Sequence, residues 1–258
     1  YNSITISKGS ESYEFTSFRK DFYPDNGSHQ PIKVERTDSI KEDASRRDFT
    51  MNAIYYNINK DVLVDFYHGV VDAKQKILRC INSPEEVLKN DGERILRMVR
   101  IVGELGLKIE KKTLKYAFLM AKNVQDITPT RKFAELEKIL YCDKRYKEID
   151  SNFKKTLKLL NKLQIWQYYG LPVKAIKYNM VEKVDDRVLG LLIDIVDTVN
   201  PECLQTFLED FLKKQFGFNS KQIQKIFTYI AGYYDALMGM QNKEYFFKYF
   251  EYVSVIFP

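Results

Sequence analysis

The sequence predicts an α+β protein, with a β-containing head in residues 1–82 and a long all-helical region in residues 83–258. Two observations support this prediction. Short segments rich in β-branched and aromatic residues, separated by polar turns, occupy most of the head. From Ser83 onward, apolar residues recur at helical spacing, and interruptions fall at positions such as Pro129 and Gly170.

Several segments of the head are typical of β-strands. Residues 4–9 and 13–18 alternate polar residues with β-branched and aromatic ones, so they predict a hairpin or two adjacent strands. Residues 21–31 are rich in Pro, Asn and Gly and predict a loop. The remaining patterns predict, in chain order, a strand at 32–36, a helix at 39–47, a helical turn before a strand at 49–58, and strands at 62–67 and 76–81.

Capping residues mark two helix starts. Ser39 followed by Glu42 matches a capping box at the start of the short helix. Ser83 and Pro84, with glutamates at the next two positions, mark the start of the helical region. With 258 residues, of which 45% are hydrophobic, the chain is long enough to bury a sizeable core in two or three subdomains.

The composition narrows the classes of protein to consider. The formal net charge of +6 suits a polyanionic partner without requiring one. Cys80, Cys142 and Cys203 form no CxxC pair, so neither a zinc site nor a disulfide framework is predicted. No apolar run approaches the roughly 18 residues of a membrane span. We therefore expect a cytoplasmic protein with no membrane partner. Its oligomeric state stays open, a homodimer included.

The stretch NDGERILRMVR, residues 90–100, contains one acid followed by three arginines at a spacing of three. Its helical neighbours predict that Asp91, Arg94, Arg97 and Arg100 run along one side of a helix. The apolar residues of the segment should share another face and pack against neighbouring elements: Ile95, Met98, Val99 and Val102. One interpretation of the charged residues is a solvated stripe with a weak Asp91–Arg94 salt bridge. The other is a binding site for a planar, anionic ligand.

The second interpretation has a specific chemistry. An Asp side chain offers only acceptors and an Arg side chain only donors. Side by side, Asp91 can accept from the exocyclic amino group of cytosine or adenine while Arg94 donates to the adjacent ring nitrogen. Guanine and uracil present a carbonyl and a ring N–H there, so both contacts become repulsive. Arg97 and Arg100 would then hold phosphates in forked contacts.

A second constellation is EDASRRDFTMNA, residues 42–53. Two arginines followed by an acid suit a clamp for phosphate and ribose. Arg47 can fork onto phosphate oxygens, Asp48 can accept from a ribose hydroxyl, and Asn52 can fix the geometry of the turn. The alternative is a helix C-terminus with favourably placed basic residues.

The motifs occur in a specific order. YEFTSFR, EDASRRDFTMNAIYY, DFYHGVVDAKQKILRCI, NDGERILRMVR and ITPTRKFAELEKIL follow one another over roughly residues 1–140. In this order they closely resemble the class II tRNA nucleotidyltransferase and bacterial poly(A) polymerase family, which includes the CCA-adding enzymes. RRDFTMNA is the most specific of these segments, and NDGERILRMVR is the next.

The resemblance implies an enzyme that transfers a nucleotide from CTP or ATP to the 3′ end of tRNA, using two Mg²⁺ ions. It implies that Asp91 and Arg94 read the incoming base. It assigns the triphosphate and ribose to Arg47, Asp48, Arg97 and Arg100. The implied architecture is the C-terminal portion of a nucleotidyltransferase head at 1–82, a helical neck with the base-reading motif at 83–140, and a tRNA-binding helical body and tail at 141–258.

One departure from the family bears on activity. The Gly-Gly-x-x-Arg-Asp segment and the metal-binding Asp-x-Asp pair of the family do not occur in this chain. We expect them upstream of Tyr1, in a part of the head that this chain does not contain, and we expect no metal ligand within the chain. Glu14 is a candidate auxiliary carboxylate facing that centre.

Several activities stay open. Within the family, we favour full CCA addition, and the alternatives are addition of only C or only A, and polyadenylation. Outside it, the missing carboxylate pair leaves a non-catalytic RNA-binding relative as the rival from another class.

Overall fold

The computed structural model describes residues 3–9, 11–24, 31–146, 148–149, 151–199 and 203–238. Within these ranges the strands pair two by two. Three pairs are antiparallel and lie in the head: β1 (Ser3–Lys8) with β2 (Glu11–Thr16), β3 (Arg19–Phe22) with β4 (Lys33–Arg36), and β5 (Ile54–Asn57) with β6 (Val62–Asp65). The fourth pair is parallel and joins β7 (Ile77–Leu78) to β8 (Lys108–Ile109).

Helices make up most of the rest of the described chain. The head contains α1 (Ile40–Ser45), a 3₁₀ turn at Thr50–Ala53, and α2 (Gly69–Lys74). The helical region contains α3 (Pro84–Asn90), α4 (Glu93–Leu105), α5 (Lys111–Leu119), α6 (Pro129–Leu140), α7 (Phe153–Lys162), α8 (Arg187–Val199), α9 (Leu204–Phe211), a π-helical turn (Leu212–Phe216) and α10 (Ser220–Met238). None of the helices in the described ranges has the length and apolar character needed to cross a bilayer.

The predicted α+β architecture is confirmed. The hairpin expected near the start is formed by β1 and β2, with Ile4 opposite Phe15 and Ile6 opposite Tyr13. The loop predicted at 21–31 begins later than expected, because β3 continues to Phe22 and pairs with β4. Residues 25–30 of that loop lie outside the described residues.

A strand within the predicted helical region joins the head to the helices. Lys108 donates its backbone N–H to the Lys76 carbonyl at 2.8 Å, and Glu110 donates to the Leu78 carbonyl at 3.0 Å. The purely helical prediction from Ser83 onward was therefore wrong at β8. A two-residue strand pairs only with a partner already in place, so its own sequence carries little signal.

The two predicted helix starts differ from expectation in detail. The Ser39 hydroxyl accepts from the Glu42 N–H at 3.3 Å, as an N-cap should. The Glu42 carboxylate, however, accepts from the Thr37 hydroxyl, and the Ser39 N–H donates to that same hydroxyl. Only half of the predicted capping box forms. Ser83 precedes α3 without a side-chain capping bond, and Pro84 takes the first helical position.

The acid and the arginines of NDGERILRMVR do not share one helix. The helix α3 ends at Asn90, Asp91 adopts an extended backbone, and α4 begins at Glu93. The prediction of a continuous ladder from Asp91 to Arg100 was therefore wrong at its first step. The three arginines do lie on α4.

The core of the neck forms around α4. Its predicted apolar face is fully buried at Ile95, Met98, Val99 and Val102. Gly103 allows α7 to approach closely, because a Cβ there would lie 2.2 Å from the Thr156 Cγ2 and 2.7 Å from the Cys142 Sγ. Gly106 ends the helix at φ 63°, a left-handed conformation that glycine adopts without strain.

Candidate functional site

A cavity of about 610 Å³ opens between the head and α4. It is lined by all seven residues that the sequence assigned to nucleotide binding: Arg47, Asp48, Asn52, Asp91, Arg94, Arg97 and Arg100. In the described part of the chain, its lining contains eight arginines and five carboxylates, with no lysine and no histidine. Guanidinium groups bind planar and anionic groups through forked hydrogen bonds, so the lining suits a ligand of that kind.

Asp91 and Arg94 lie next to each other in the wall of this cavity. Their closest approach is 3.9 Å, between the Arg94 Nε and the Asp91 Oδ2. The Asp91 carboxylate is held by the Glu93 N–H, which donates to its Oδ1 at 2.9 Å. An acceptor and a donor thus line one cavity from adjacent positions, although Asp91 precedes the helix rather than lying on it.

The guanidinium of Arg94 is fixed by contacts to the head and to α3. Its Nη1 donates to the Val87 carbonyl at 3.1 Å and its Nη2 to the Arg46 carbonyl at 3.0 Å. The guanidinium carbon lies 5.7 Å from the centre of the Tyr23 ring, whose hydroxyl is 3.4 Å from Nη2. Arg94 is only 8% exposed. Its orientation is therefore set before any ligand arrives, which selective recognition requires.

Asp48 connects the head to α4. Its Oδ2 accepts from the Arg97 Nε at 2.8 Å and Nη2 at 2.7 Å. Its Oδ1 accepts from the Phe49 N–H and from the Asn52 Nδ2. Burial raises the pKa of Asp48, but Arg97 and these hydrogen bonds outweigh burial, so the net pKa lies below its usual value. Both oxygens are thus already engaged, and a ribose hydroxyl would have to share Asp48 with Arg97.

Arg47 lies against Tyr55 on the head side of the cavity. Its guanidinium carbon is 4.9 Å from the centre of the Tyr55 ring, and its Nε donates to the Tyr55 hydroxyl at 2.9 Å. Its Nη1 donates to the Asn52 carbonyl at 3.2 Å. A guanidinium has five N–H donors, so Arg47 retains donor capacity toward the cavity while its position is set by the protein.

Sequence analysis assigned no role to Asp43, which organises this side of the cavity. Its carboxylate is 1% exposed and accepts from the backbone N–H of Arg19 and the side chains of Arg46, Arg47 and Tyr55. Burial raises the pKa of Asp43, but the bonds from Tyr55 and Arg46 bring it below its usual value. Its spacing of three and four residues from the two arginines was the available signal.

Arg100 is less accessible than its position in the motif suggested. Its Nε donates to the Glu135 Oε2 at 2.9 Å, and its Nη1 lies 3.4 Å from the Glu104 Oε1. The same Glu104 oxygen accepts from Arg145 at 3.0 Å. Arg100 is 8% exposed. Phosphate would therefore compete with two buried carboxylates for this guanidinium.

Sequence reasoning also missed an ion pair between α4 and α6. The Glu93 Oε2 lies 3.5 Å from the Arg131 Nη1, and both residues line the cavity. Burial, and then the negative charge of Asp91, raise the pKa of Glu93. The two partners lie 38 positions apart in sequence. A local pattern does not extend that far, so no motif pointed to this pair.

Glu14 does not line the cavity. It lies on the exposed strand β2, opposite Thr5 of β1. In the described ranges, no group of three or more His, Cys, Asp or Glu side chains is placed to hold a metal ion. The described residues therefore do not form the metal centre that the family resemblance implies.

Two family models match separate parts of the chain. Residues 1–79 match the "Poly A polymerase head domain". Residues 106–169 match the "Probable RNA and SrmB-binding site of polymerase A". The first match contains the Arg47–Asp48 side of the cavity, and Asp91 and Arg94 fall between the two matched segments.

Individual proteins are similar to the chain in sequence and in fold. The CCA-adding enzyme of Oceanobacillus iheyensis is 35% identical over 140 residues, which cover 54% of this chain and 34% of that protein. The structure of the Bacillus stearothermophilus CCA-adding enzyme in complex with CTP has a TM-score of 0.63 at 20% identity and covers 90% of this chain and 54% of that one.

A further solved structure extends the fold comparison. A tRNA nucleotidyltransferase complexed with a primer tRNA and an incoming ATP analog has a TM-score of 0.60 at 21% identity; the match covers 94% of this chain and 67% of that one. At these identities the two structures establish a shared fold. In the sequence comparison, the chain spans about a third of the length of its Oceanobacillus relative.

Proposed function

The chain belongs to the family of poly(A) polymerases and CCA-adding enzymes, and from this premise we propose that the protein adds C and A from CTP and ATP to the 3′ end of tRNA. One observation carries the proposal. The seven residues that were assigned to nucleotide binding, although they come from two distant segments, line one arginine-rich cavity.

In the proposed mechanism, protein side chains select the base. The Asp91 carboxylate accepts from the amino group of cytosine or adenine, and Arg94 donates to the neighbouring ring nitrogen. Arg94 reaches this position without reorganising, because the carbonyls of Val87 and Arg46 already hold it. With guanine or uracil, the Asp91 carboxylate would face a carbonyl oxygen and Arg94 would face a ring N–H. Leaving these groups unsatisfied costs about 1–3 kcal/mol for each buried group.

We assign the phosphate and ribose contacts to the other candidate residues of the cavity according to their exposure and their existing hydrogen bonds. Arg47 and Arg97 are the most accessible of the candidates, with side chains 34% exposed in each case. We assign the phosphates mainly to these two residues. Asp48 takes the ribose hydroxyl when the incoming nucleotide draws Arg97 partly away from it. Arg100 acts at longer range, because Glu135 and Glu104 retain its guanidinium.

Mg²⁺ enters the proposal as the cofactor of nucleotide addition. The described side chains offer no cluster suited to it. Glu14 remains a candidate auxiliary carboxylate, since it lies on the polar face of an exposed hairpin.

The proposal also divides the chain by task. Residues 1–82 contribute the C-terminal portion of the head, residues 83–140 the neck with the base-reading pair, and residues 141–258 a body and tail for tRNA. The structures with CTP and with tRNA among its neighbours in fold support this division. Residues 239–258 of the tail lie outside the described residues. We propose a cytoplasmic location, where tRNA is processed.

The experiment measures single-nucleotide addition by the full protein to tRNA that lacks its 3′ end. We expect extension with CTP and ATP and not with GTP or UTP. Arg94→Ala should lose rate and selectivity together, whereas Arg36→Ala, an exposed arginine outside the cavity, should lose neither. Comparable incorporation of all four nucleotides by the unaltered protein, or intact selectivity in Arg94→Ala, contradicts the base-reading assignment.

Polyadenylation is the second candidate, because the family model that matches residues 1–79 is described as a poly A polymerase head domain. The same assay separates the two activities. Addition that stops after one A following two C residues indicates CCA addition, and long runs of A indicate polyadenylation. Binding of tRNA without any addition would indicate the non-catalytic relative.

A further inference from the structure

We propose that a groove between α5 and the end of α7 binds an acidic amphipathic helix of a partner protein. The groove has a volume of about 370 Å³. It shares no lining residue with the arginine-rich cavity. The inference therefore does not depend on the proposed function, and either can fail without the other.

The floor of the groove is apolar. It consists of Leu114, Phe118 and Leu119 from α5 and Leu163 from the end of α7. Phe118 is 47% exposed and Leu119 51% exposed, while Leu163 is buried. Two large apolar side chains that remain half exposed next to a buried leucine form a concave surface that gains from being covered.

The rim of the groove is uniformly basic. The other three lining residues are Lys111, Lys115 and Lys162, and all three are exposed. Within the described part of the chain, no carboxylate lies within ion-pairing distance of these ammonium groups. An occupant that buries the floor must therefore accept three unpaired positive charges around it. A partner with carboxylates flanking its apolar side chains meets that condition.

The chemistry of the lining favours a peptide over RNA. RNA phosphates and bases are recognised best by forked guanidinium groups and by aromatic faces, and the described lining of the arginine-rich cavity contains eight arginines. Among the described residues, the lining of the groove contains no arginine and one aromatic ring, and three of the four floor residues are leucines. Aliphatic floors of this kind accept the side chains at positions i, i+3, i+4 and i+7 of an amphipathic helix.

The test uses a fluorescent 18-residue helical probe with leucines at i, i+3, i+4 and i+7 and glutamates flanking them. Binding to the full protein is followed by anisotropy, with a charge-reversed lysine version of the probe as its control. The triple variant K111E/K115E/K162E should weaken binding roughly tenfold or more, the sum expected from three exposed ion pairs. K174E/K177E/K183E changes three exposed lysines elsewhere and should leave the affinity unchanged.

The apolar floor is tested separately. The double variant F118S/L119S alters two exposed positions on α5, so folding should persist, and it too should weaken the acidic probe. Equal binding of the acidic and lysine probes, equal loss in both lysine triples, or no binding at roughly millimolar probe would each overturn the proposal.

Other occupants give distinguishable results, and each contradicts the proposal. Selective loss of single-stranded RNA binding in K111E/K115E/K162E would assign the groove to RNA. A change from dimer to monomer in F118S/L119S, measured by light scattering, would assign it to a second copy of the chain. Probe binding that requires deletion of residues 239–258 would assign it to that segment.

Discussion

Asp43→Ala should lower the free energy of unfolding by about 2–3 kcal/mol, because it leaves several buried donors without their acceptor. Asp43 binds two arginine side chains, the Tyr55 hydroxyl and the backbone N–H of Arg19. Breaking a fully buried ion pair costs roughly 3–5 kcal/mol. The expected cost here is lower, because the side chains of Arg46 and Arg47 are 17% and 34% exposed and water compensates them in part.

The assay is urea unfolding of the protein at pH 7, followed by circular dichroism, with Glu137→Ala as the matched control. Glu137 is an exposed carboxylate on α6, so its loss should change stability by less than about 0.5 kcal/mol. Asp43→Asn keeps the shape of the side chain and removes its charge. Its loss of unfolding free energy should therefore lie between those of Asp43→Ala and Glu137→Ala. If Asp43→Ala and Glu137→Ala were equally stable, Asp43 would not organise this side of the cavity.

The Asp43 carboxylate should also make the stability of the protein depend on pH. Its folded pKa lies below its usual value. Its contribution to stability is therefore complete above the unfolded pKa of about 3.9 and is lost as the pH falls through the lower, folded pKa. The stability difference between the unaltered protein and Asp43→Asn should accordingly shrink as the pH falls below about 4. A difference that grows in acid would contradict this reasoning.

Three further predictions concern the cavity and the neck. Arg97→Met should destabilise the protein at pH 7 and lose that effect below about pH 4, because Arg97 holds the pKa of Asp48 down and protonation ends their attraction; acid titration of both proteins checks this. Gly103→Ala should cost about 1–3 kcal/mol, since its Cβ would lie 2.2 Å from Thr156; a thermal melt unchanged from that of the parent would refute it. Glu135→Gln should weaken the hold on Arg100 and shift the KM for nucleotide more than kcat, measured in the addition assay.

Parts of the head and of the neck could be predicted from short-range patterns. The hairpin of β1 and β2 followed from alternating side chains on both strands, and the apolar face of α4 followed from helical spacing. Such features depend on neighbours a few residues away, which a sequence displays directly. The pairing of β7 with β8 depends on the placement of a distant partner, so it was missed.

The break before α4 had a signal that was not used. Asn90-Asp91-Gly92 is a sequence typical of a turn, and the chain leaves the helix there. The i and i+4 spacing of Arg100 and Glu104 was likewise visible. The contact from Glu135 to Arg100, and that from Tyr23 to Arg94, join residues 35 and 71 positions apart, and no local pattern predicts them.

In the described part of the chain, every basic side chain that lines the cavity is an arginine, and this determines how pH and salt affect the binding of anions there. Arginine remains protonated throughout the range in which proteins stay folded, so alkali that would neutralise a lysine or histidine leaves the attraction for anions intact. Mobile ions act differently, because the screening length falls from about 10 Å at 0.1 M salt to about 3 Å at 1 M. From neutral to alkaline pH, ionic strength is therefore the natural control on how readily an anion enters this cavity.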